Sequence, residues 1–166
     1  LDFEVNRISP FTEGDIIISS TKIRHSIHNN EIEIPNEMLG YAYLLNGKVM
    51  HGQGRAASLG YPTANIFPDD KNKLIPGNGV YFVSSYIDDK LYYGMANVGL
   101  RPTLTEDVTP TLEVNYFNLD MDLYDKYLTV SFHKFIRKEV KFSGIDKLIE
   151  QIGKDKANCI DLISNL

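Results

Sequence analysis

Between Gly40 and Arg137 the chain presents one strand-like segment after another, with no helical pattern between them. Residues 41–50 are rich in aromatic and aliphatic side chains. Residues 80–87 form a strand pattern, Asp88-Asp89-Lys90 a turn, and residues 91–98 the returning strand, the clearest hairpin in the sequence. Residues 111–119 and 127–136 predict a second pair joined by the connector Asp120-Met121-Asp122-Leu123-Tyr124-Asp125. Successive strands without crossover helices predict a mainly β fold, an antiparallel barrel or sandwich, and exclude a parallel doubly wound sheet.

The flanks read differently. Ile16-Ile17-Ile18 is a brief strand, and Ser19-Ser20-Thr21 can cap a helix through Ile23 and Ile27 that Pro35 closes. This segment holds too few apolar residues for a core of its own. Beyond the strands, Ser143 is a candidate N-cap. Ile145, Leu148, Ile149 and Ile152 then fall at i, i+3, i+4 and i+7, and Ala157, Ile160 and Ile163 continue the stripe past Gly153. A C-terminal helix packed on the strands is expected.

Composition narrows the function classes. With 17 basic and 22 acidic residues the net charge is −5, which disfavours a nucleic-acid coat. The single cysteine, Cys159, allows no intrachain disulfide and suits a reducing, cytoplasmic compartment. It reads as packed more readily than as nucleophilic. No 18-residue apolar run is present, so no membrane partner is expected. The chain begins with Leu1 and carries no leader pattern, so a fragment of a longer protein is expected.

The stretch from His51 to Asn65 is where chemistry concentrates. Gly52, Gly54 and Ala57 formally match a dinucleotide fingerprint, but Gly60 and Pro62 interrupt the helix that fingerprint must open. What remains is a glycine loop able to approach phosphate oxygens, or a plain surface loop. In Pro62-Thr63-Ala64-Asn65 the Thr hydroxyl and Asn amide share one side of an extended segment. Both are neutral oxygen donors suited to Mg²⁺. A turn in which they bond the backbone explains them equally well. In Thr111-Leu112-Glu113-Val114-Asn115-Tyr116-Phe117, alternation puts Glu113 with Asn115 and Phe117, opposite Leu112, Val114 and Tyr116. Glu113 is either a general base or a solvated carboxylate, the commoner case. Asn97-Val98-Gly99-Leu100-Arg101-Pro102-Thr103 reads as a second glycine-containing loop after a strand. His25, His28, His51 and His133 suggest no zinc site.

Taken in order, these pieces resemble the riboflavin kinase family, as it occurs at the C-terminal end of bacterial bifunctional riboflavin kinase/FMN adenylyltransferases. The resemblance runs from about Leu39 to Asn165. It rests on Gly60-Tyr61-Pro62-Thr63-Ala64-Asn65, Gly79-Val80-Tyr81, Asn97-Val98-Gly99, Arg101-Pro102-Thr103, Glu113, and Arg137 with Lys141-Phe142. It implies a six-stranded antiparallel Greek-key barrel with a C-terminal helix and a short N-terminal helical extension. It implies ATP-dependent phosphorylation of riboflavin to FMN, with Mg²⁺, and with riboflavin/FMN and ATP/ADP as partners.

Carried residue by residue, Thr63 and Asn65 would be metal and phosphate ligands and Glu113 the base. Gly52, Gly54, Arg55, Gly60, Tyr61, Pro62, Asn97, Gly99, Arg101, Thr103 and Arg137 would hold nucleotide and flavin. Residues 1–38 resemble the tail of a preceding adenylyltransferase domain through Ile18-Ser19-Ser20-Thr21-Lys22-Ile23-Arg24, leaving 39–166 as the kinase domain. FMN adenylyltransferase activity is not expected from this chain alone. Family members commonly read Arg-Gly-Arg where this chain has Arg55-Ala56-Ala57. That departure keeps open an alternative, a flavin-binding or regulatory module with a degenerate ATP loop. An RNA-binding barrel is weaker still, since no basic cluster is present.

Overall fold

A computed structural model of the chain describes residues 12–13, 16–52, 56–102 and 108–164, with only the backbone at 13, 16, 100–102 and 108–110. Two short strands, β1 (Thr12–Glu13) and β2 (Ile16–Ile17), pair with each other. Helices α1 (Ser20–His28) and α2 (Glu33–Leu39) follow. The barrel strands are β3 (Tyr43–Met50), β4 (Ala64–Pro68), β5 (Gly79–Ile87), β6 (Lys90–Pro102), β7 (Val108–Tyr116) and β8 (Tyr127–Arg137). Helix α3 (Ile145–Ile163) ends the described chain.

The six strands close in the order β3-β4-β7-β6-β5-β8, every pairing antiparallel. Alternation along each strand turns one side chain in two inward. Leu45, Ile66, Val83, Val98, Val114 and Val130, one from each strand, are at most 2% exposed and fill the interior. The β5–β6 hairpin forms as its sequence predicts, with Asp88 and Asp89 both at positive φ, the conformation a two-residue hairpin turn requires.

Four expectations are corrected. Asn97 to Pro102 is not a loop but the end of β6, paired along its length with β7. β7 and β8 do not pair with each other: β7 lies between β4 and β6, and β8 between β3 and β5. Closing the barrel satisfies both edges of every strand, which a local β7–β8 hairpin would not do. Pro35 does not close a helix. It lies in the first turn of α2, where no N–H is needed, and α1 ends earlier at His28. The α3 N-cap is Gly144, not Ser143. The buried face of α3 centres on Asp155 and Cys159, with Ile152, Leu162 and Ile163 beside them, while Ile145 and Ile160 face solvent.

Ser19 does cap α1, its hydroxyl accepting from the Lys22 N–H at 3.3 Å. The α1–α2 pair is not independent of the barrel. Ile27 and Ile32, 1% and 0% exposed, belong to its interior cluster. A second cluster forms outside the barrel, where α3 covers Val80, Phe82, Met95 and Phe117 with Cys159 at its centre. Burial there pushes the Cys159 thiol up to about 12, so it is an inert packed group.

Candidate active site

One hydrogen-bonded row crosses the outer face of the barrel. Asn65 on β4 is registered with Glu113 on β7, Glu113 with Asn97 on β6, Asn97 with Val80 on β5, and Val80 with Arg137 on β8. Registered neighbours in antiparallel strands share a face and lie about 4.5–5.5 Å apart. Residues separated by tens of positions in sequence thus stand side by side. The row faces outward because Ala64, Ile66, Leu112, Val114, Ala96 and Val98 on the alternate positions point into the interior.

A cavity of about 300 Å³ opens over this row, between the barrel and α3. Thr63, Asn97, Glu113 and Arg137 supply its polar wall, and Val80, Met95, Phe142 and Ile152 are among its apolar residues. Glu113 is half-buried and engaged in a contact, so the freely solvated reading does not apply. Asn97 donates to Glu139 at 3.3 Å. The same Glu139 carboxylate lies close over Gly99, where a Cβ would come within 2.8 Å of it and push it aside.

A second cavity of about 430 Å³ lies on the other side of the 62–64 segment. Thr63 borders both. Its far wall is the segment from Leu119 to Tyr124, which the sequence presents as a bare connector. Leu123 anchors that segment in the core at 7% exposure, and Tyr124 stacks on His51 with ring centroids 3.8 Å apart. His51 is therefore held against a residue that walls this second cavity.

Gly52 lies directly against the Asn65 amide. A Cβ there would overlap the Asn65 amide, so a glycine is what allows this close approach. Gly60 takes φ +84 to end the 3-10 turn at Ala57–Leu59. Ala56 has φ −71 and ψ −30, ordinary helical values that strain no alanine. The alanine that stands at position 56 where family members commonly have glycine is thus unstrained, and the arginine lacking at position 57 is what remains of that departure. Tyr61 lines the first cavity and packs toward Gly153 of α3.

Arg137 is not a free ligand-binding cation. Its Nε donates to both Asp155 oxygens at 3.0 and 2.9 Å, its Nη2 to Oδ2 at 2.7 Å, and its Nη1 to the Lys138 carbonyl at 2.9 Å. Gln151 donates to Asp155 at 2.8 Å. This cluster fastens α3 to β8 at the wall of the first cavity. Gly54, Arg55 and Thr103 lie outside the described residues, and Arg101 is described only as backbone, registered with Thr109.

Sequence reasoning missed Glu139, Asp155 and the lining role of 119–124. Asp155 left a trace, a charged residue three positions after Ile152 on an otherwise apolar stripe, which signals a buried pair. Glu139 left none.

Among the described residues no helix is long and apolar enough to cross a membrane, and no three His, Cys, Asp or Glu are grouped to hold a metal. A family model described as Flavokinase: Riboflavin kinase matches residues 39–163. The chain is 38% identical over 161 residues to the bifunctional riboflavin kinase/FMN adenylyltransferase of Bacillus subtilis, covering 96% of this chain and 51% of that protein. It is 40% identical to the same-named protein of Buchnera aphidicola, over 93% of this chain and 50% of that one. The chain thus spans about half the length of the curated relatives it matches.

Among solved structures, one from Streptococcus pneumoniae described as a macrolide-efflux protein superposes with a TM-score of 0.84 at 33% identity, covering 90% of this chain and 49% of that one. The riboflavin kinase of Trypanosoma brucei superposes with a TM-score of 0.51 at 22% identity, covering 73% and 79%, and shares the fold.

Proposed function

We propose, from the premise that this chain belongs to the riboflavin kinase family, that it transfers the γ-phosphoryl group of ATP to the 5′-hydroxyl of riboflavin, giving FMN and ADP. The observation that carries the reading is the position of Thr63, which borders two cavities at once, with Glu113 in the first. A two-substrate transfer needs two sites that meet at one point.

The first cavity, with flat apolar residues and a polar end, suits a tricyclic ring whose hydroxylated chain reaches Glu113. The second, with Thr63 on one wall and the His51-stacked Tyr124 on another, suits the nucleotide. Glu113 accepts the proton of the 5′-hydroxyl as that oxygen bonds to the γ-phosphorus, and the β–γ bridging oxygen leaves with ADP. Glu113 orients a weak nucleophile; Asn97, beside it, supplies a neutral amide to the same alcohol end. Half-burial beneath α3 limits water that would compete as acceptor.

The donor set fits Mg²⁺. Thr63 and Asn65 offer neutral oxygens on one side of an extended segment, and Gly52 lets the backbone lie against the Asn65 amide where a side chain would displace it. When bound with the phosphates, Mg²⁺ neutralises charge that builds on the transferred group. Thr63 and Asn65 would hold it, completed by phosphate oxygens and water.

The proposal extends to a preceding adenylyltransferase domain, of which residues 1–38 form the end. The bifunctional relatives support this, as does the run from Ile18 to Arg24. The test is direct: incubate the chain with riboflavin and MgATP and follow FMN by chromatography. FMN in proportion to time and enzyme is expected. Its absence from folded protein that binds both ligands returns the chain to a flavin-binding or regulatory role.

A further inference from the structure

Asn115 stands two residues beyond Glu113 on β7, on the same outward face, yet it is only 6% exposed. Its amide Nδ2 donates to the Pro62 carbonyl at 2.7 Å. That carbonyl belongs to the peptide joining Pro62 to Thr63, the residue that borders both cavities. Residues 61–63 lie in no strand, and the β4–β7 register begins one residue later, at Ala64 opposite Val114. Pro62 has no N–H to offer a ladder. The Asn115 amide is therefore the cross-strand tie at the point where the ladder gives out. A buried amide is costly unless bonded, so losing this contact would leave a buried donor unsatisfied. At Gly94, opposite the next residue Tyr116, a Cβ would come within 2.5 Å of the Asn115 carbonyl oxygen, so β6 is drawn close against this stretch of β7.

We propose that Asn115 is a positioning residue for phosphoryl transfer: it fixes Thr63 relative to Glu113 by holding the Pro62–Thr63 peptide to the strand that carries the base. The inference rests on the phosphotransfer reading. Two residues along a strand span about 6.6–6.8 Å, so base and tie are rigidly spaced on one element. The tie must be a donor, because a carbonyl only accepts. Histidine can replace it, since Nδ1 sits where the Asn Nδ2 sits; leucine and serine cannot, the first lacking a donor and the second too short.

The experiment compares N115L, N115S and N115H with the parent. Steady-state kinetics are measured with MgATP and riboflavin varied separately, and riboflavin binding without nucleotide is read from quenching of flavin fluorescence. In N115L and N115S, kcat/KM for MgATP falls by about 10–100-fold, as expected for a catalytic group displaced by about an ångström. The Mg²⁺ concentration for half-maximal rate rises, riboflavin affinity stays near the parent's, and N115H retains most of the activity. Unchanged MgATP kinetics in N115L and N115S overturn the proposal. So does an equal loss for both ligands, which marks a merely structural role, or a folded N115H as impaired as N115S. If N115L does not fold, N115S and N115H decide. If the parent itself makes no FMN, the phosphotransfer reading fails. MgATP calorimetry then tests the tie alone: weaker binding in N115S but not N115H upholds it, and unchanged binding overturns it.

Discussion

Replacing Asp155 by Asn keeps the size of a side chain that is 3% exposed but removes its charge, and it should destabilise the protein through Arg137. The carboxylate receives three hydrogen bonds from the guanidinium and one from Gln151. An amide offers one acceptor oxygen and turns an N–H₂ group toward donors. Removing one partner of a buried pair costs about 3–5 kcal/mol, because the remaining charge is left uncompensated. Arg137 is 21% exposed, so water reaches part of the guanidinium and the low end, about 3 kcal/mol, applies.

For a domain of this size each kcal/mol moves Tm by about 2–4 °C, so Asp155→Asn should melt about 6–12 °C below the parent in a calorimetric scan. Riboflavin KM should rise with it, since Ile152 and Leu148 of the helix so anchored line the first cavity. A double replacement, Arg137→Met with Asp155→Leu, should recover most of the loss, because the deficit comes from an unpaired charge and not from packing. An Asp155→Asn protein melting within about 2 °C of the parent, below one kcal/mol on the same scale, would refute this reasoning. A double variant no more stable than the single would do the same.

Glu113→Gln should bind riboflavin normally while kcat falls by about 10²–10⁴-fold and the acidic limb of the pH–rate profile disappears; near-parental kcat removes Glu113 as the base. Thr63→Ala and Asn65→Ala should each weaken MgATP more than riboflavin in separate titrations, whereas an equal loss signals misfolding. Ala57→Arg should lower KM for ATP by restoring a cation, while Ala56→Gly alone should gain nothing, since Ala56 already sits at φ −71; kinetics of both single variants check this. Burial pushes Tyr43, Tyr81 and Tyr116 from 10.0 up to about 12, and Cys159 from 9.0 up to about 12. The unfolded chain gives up these protons first, so their contribution is whole below pH 9 and lost as pH rises through 12; melting at pH 8, 10 and 11.5 should fall monotonically.

The strands of the barrel and the residue types of the proposed site were legible in the sequence for different reasons. Strand identity is a local property. Alternation places Leu112, Val114 and Tyr116 opposite Glu113 and Asn115, and the Asp88-Asp89 turn chooses its own conformation, so both survive folding unchanged. Thr63, Asn65 and Glu113 were legible as residue types suited to phosphate chemistry, because that chemistry restricts which side chains can perform it.

Partnership across the barrel is another matter, since it is decided by register and closure rather than by neighbours in sequence. No local pattern says that Asn65, Glu113 and Asn97 share one row, that β8 closes onto β3 and β5 instead of β7, or that the 119–124 connector walls a cavity. Arg137 shows the difference most sharply. By residue type it is a ready anion ligand, but the turn of α3 that brings Asp155 against it commits the guanidinium to holding the helix. A side chain's charge is written in the sequence. The partner that consumes it is chosen by whichever groups the tertiary structure buries together, because burial is what makes an unpaired charge too costly to leave alone.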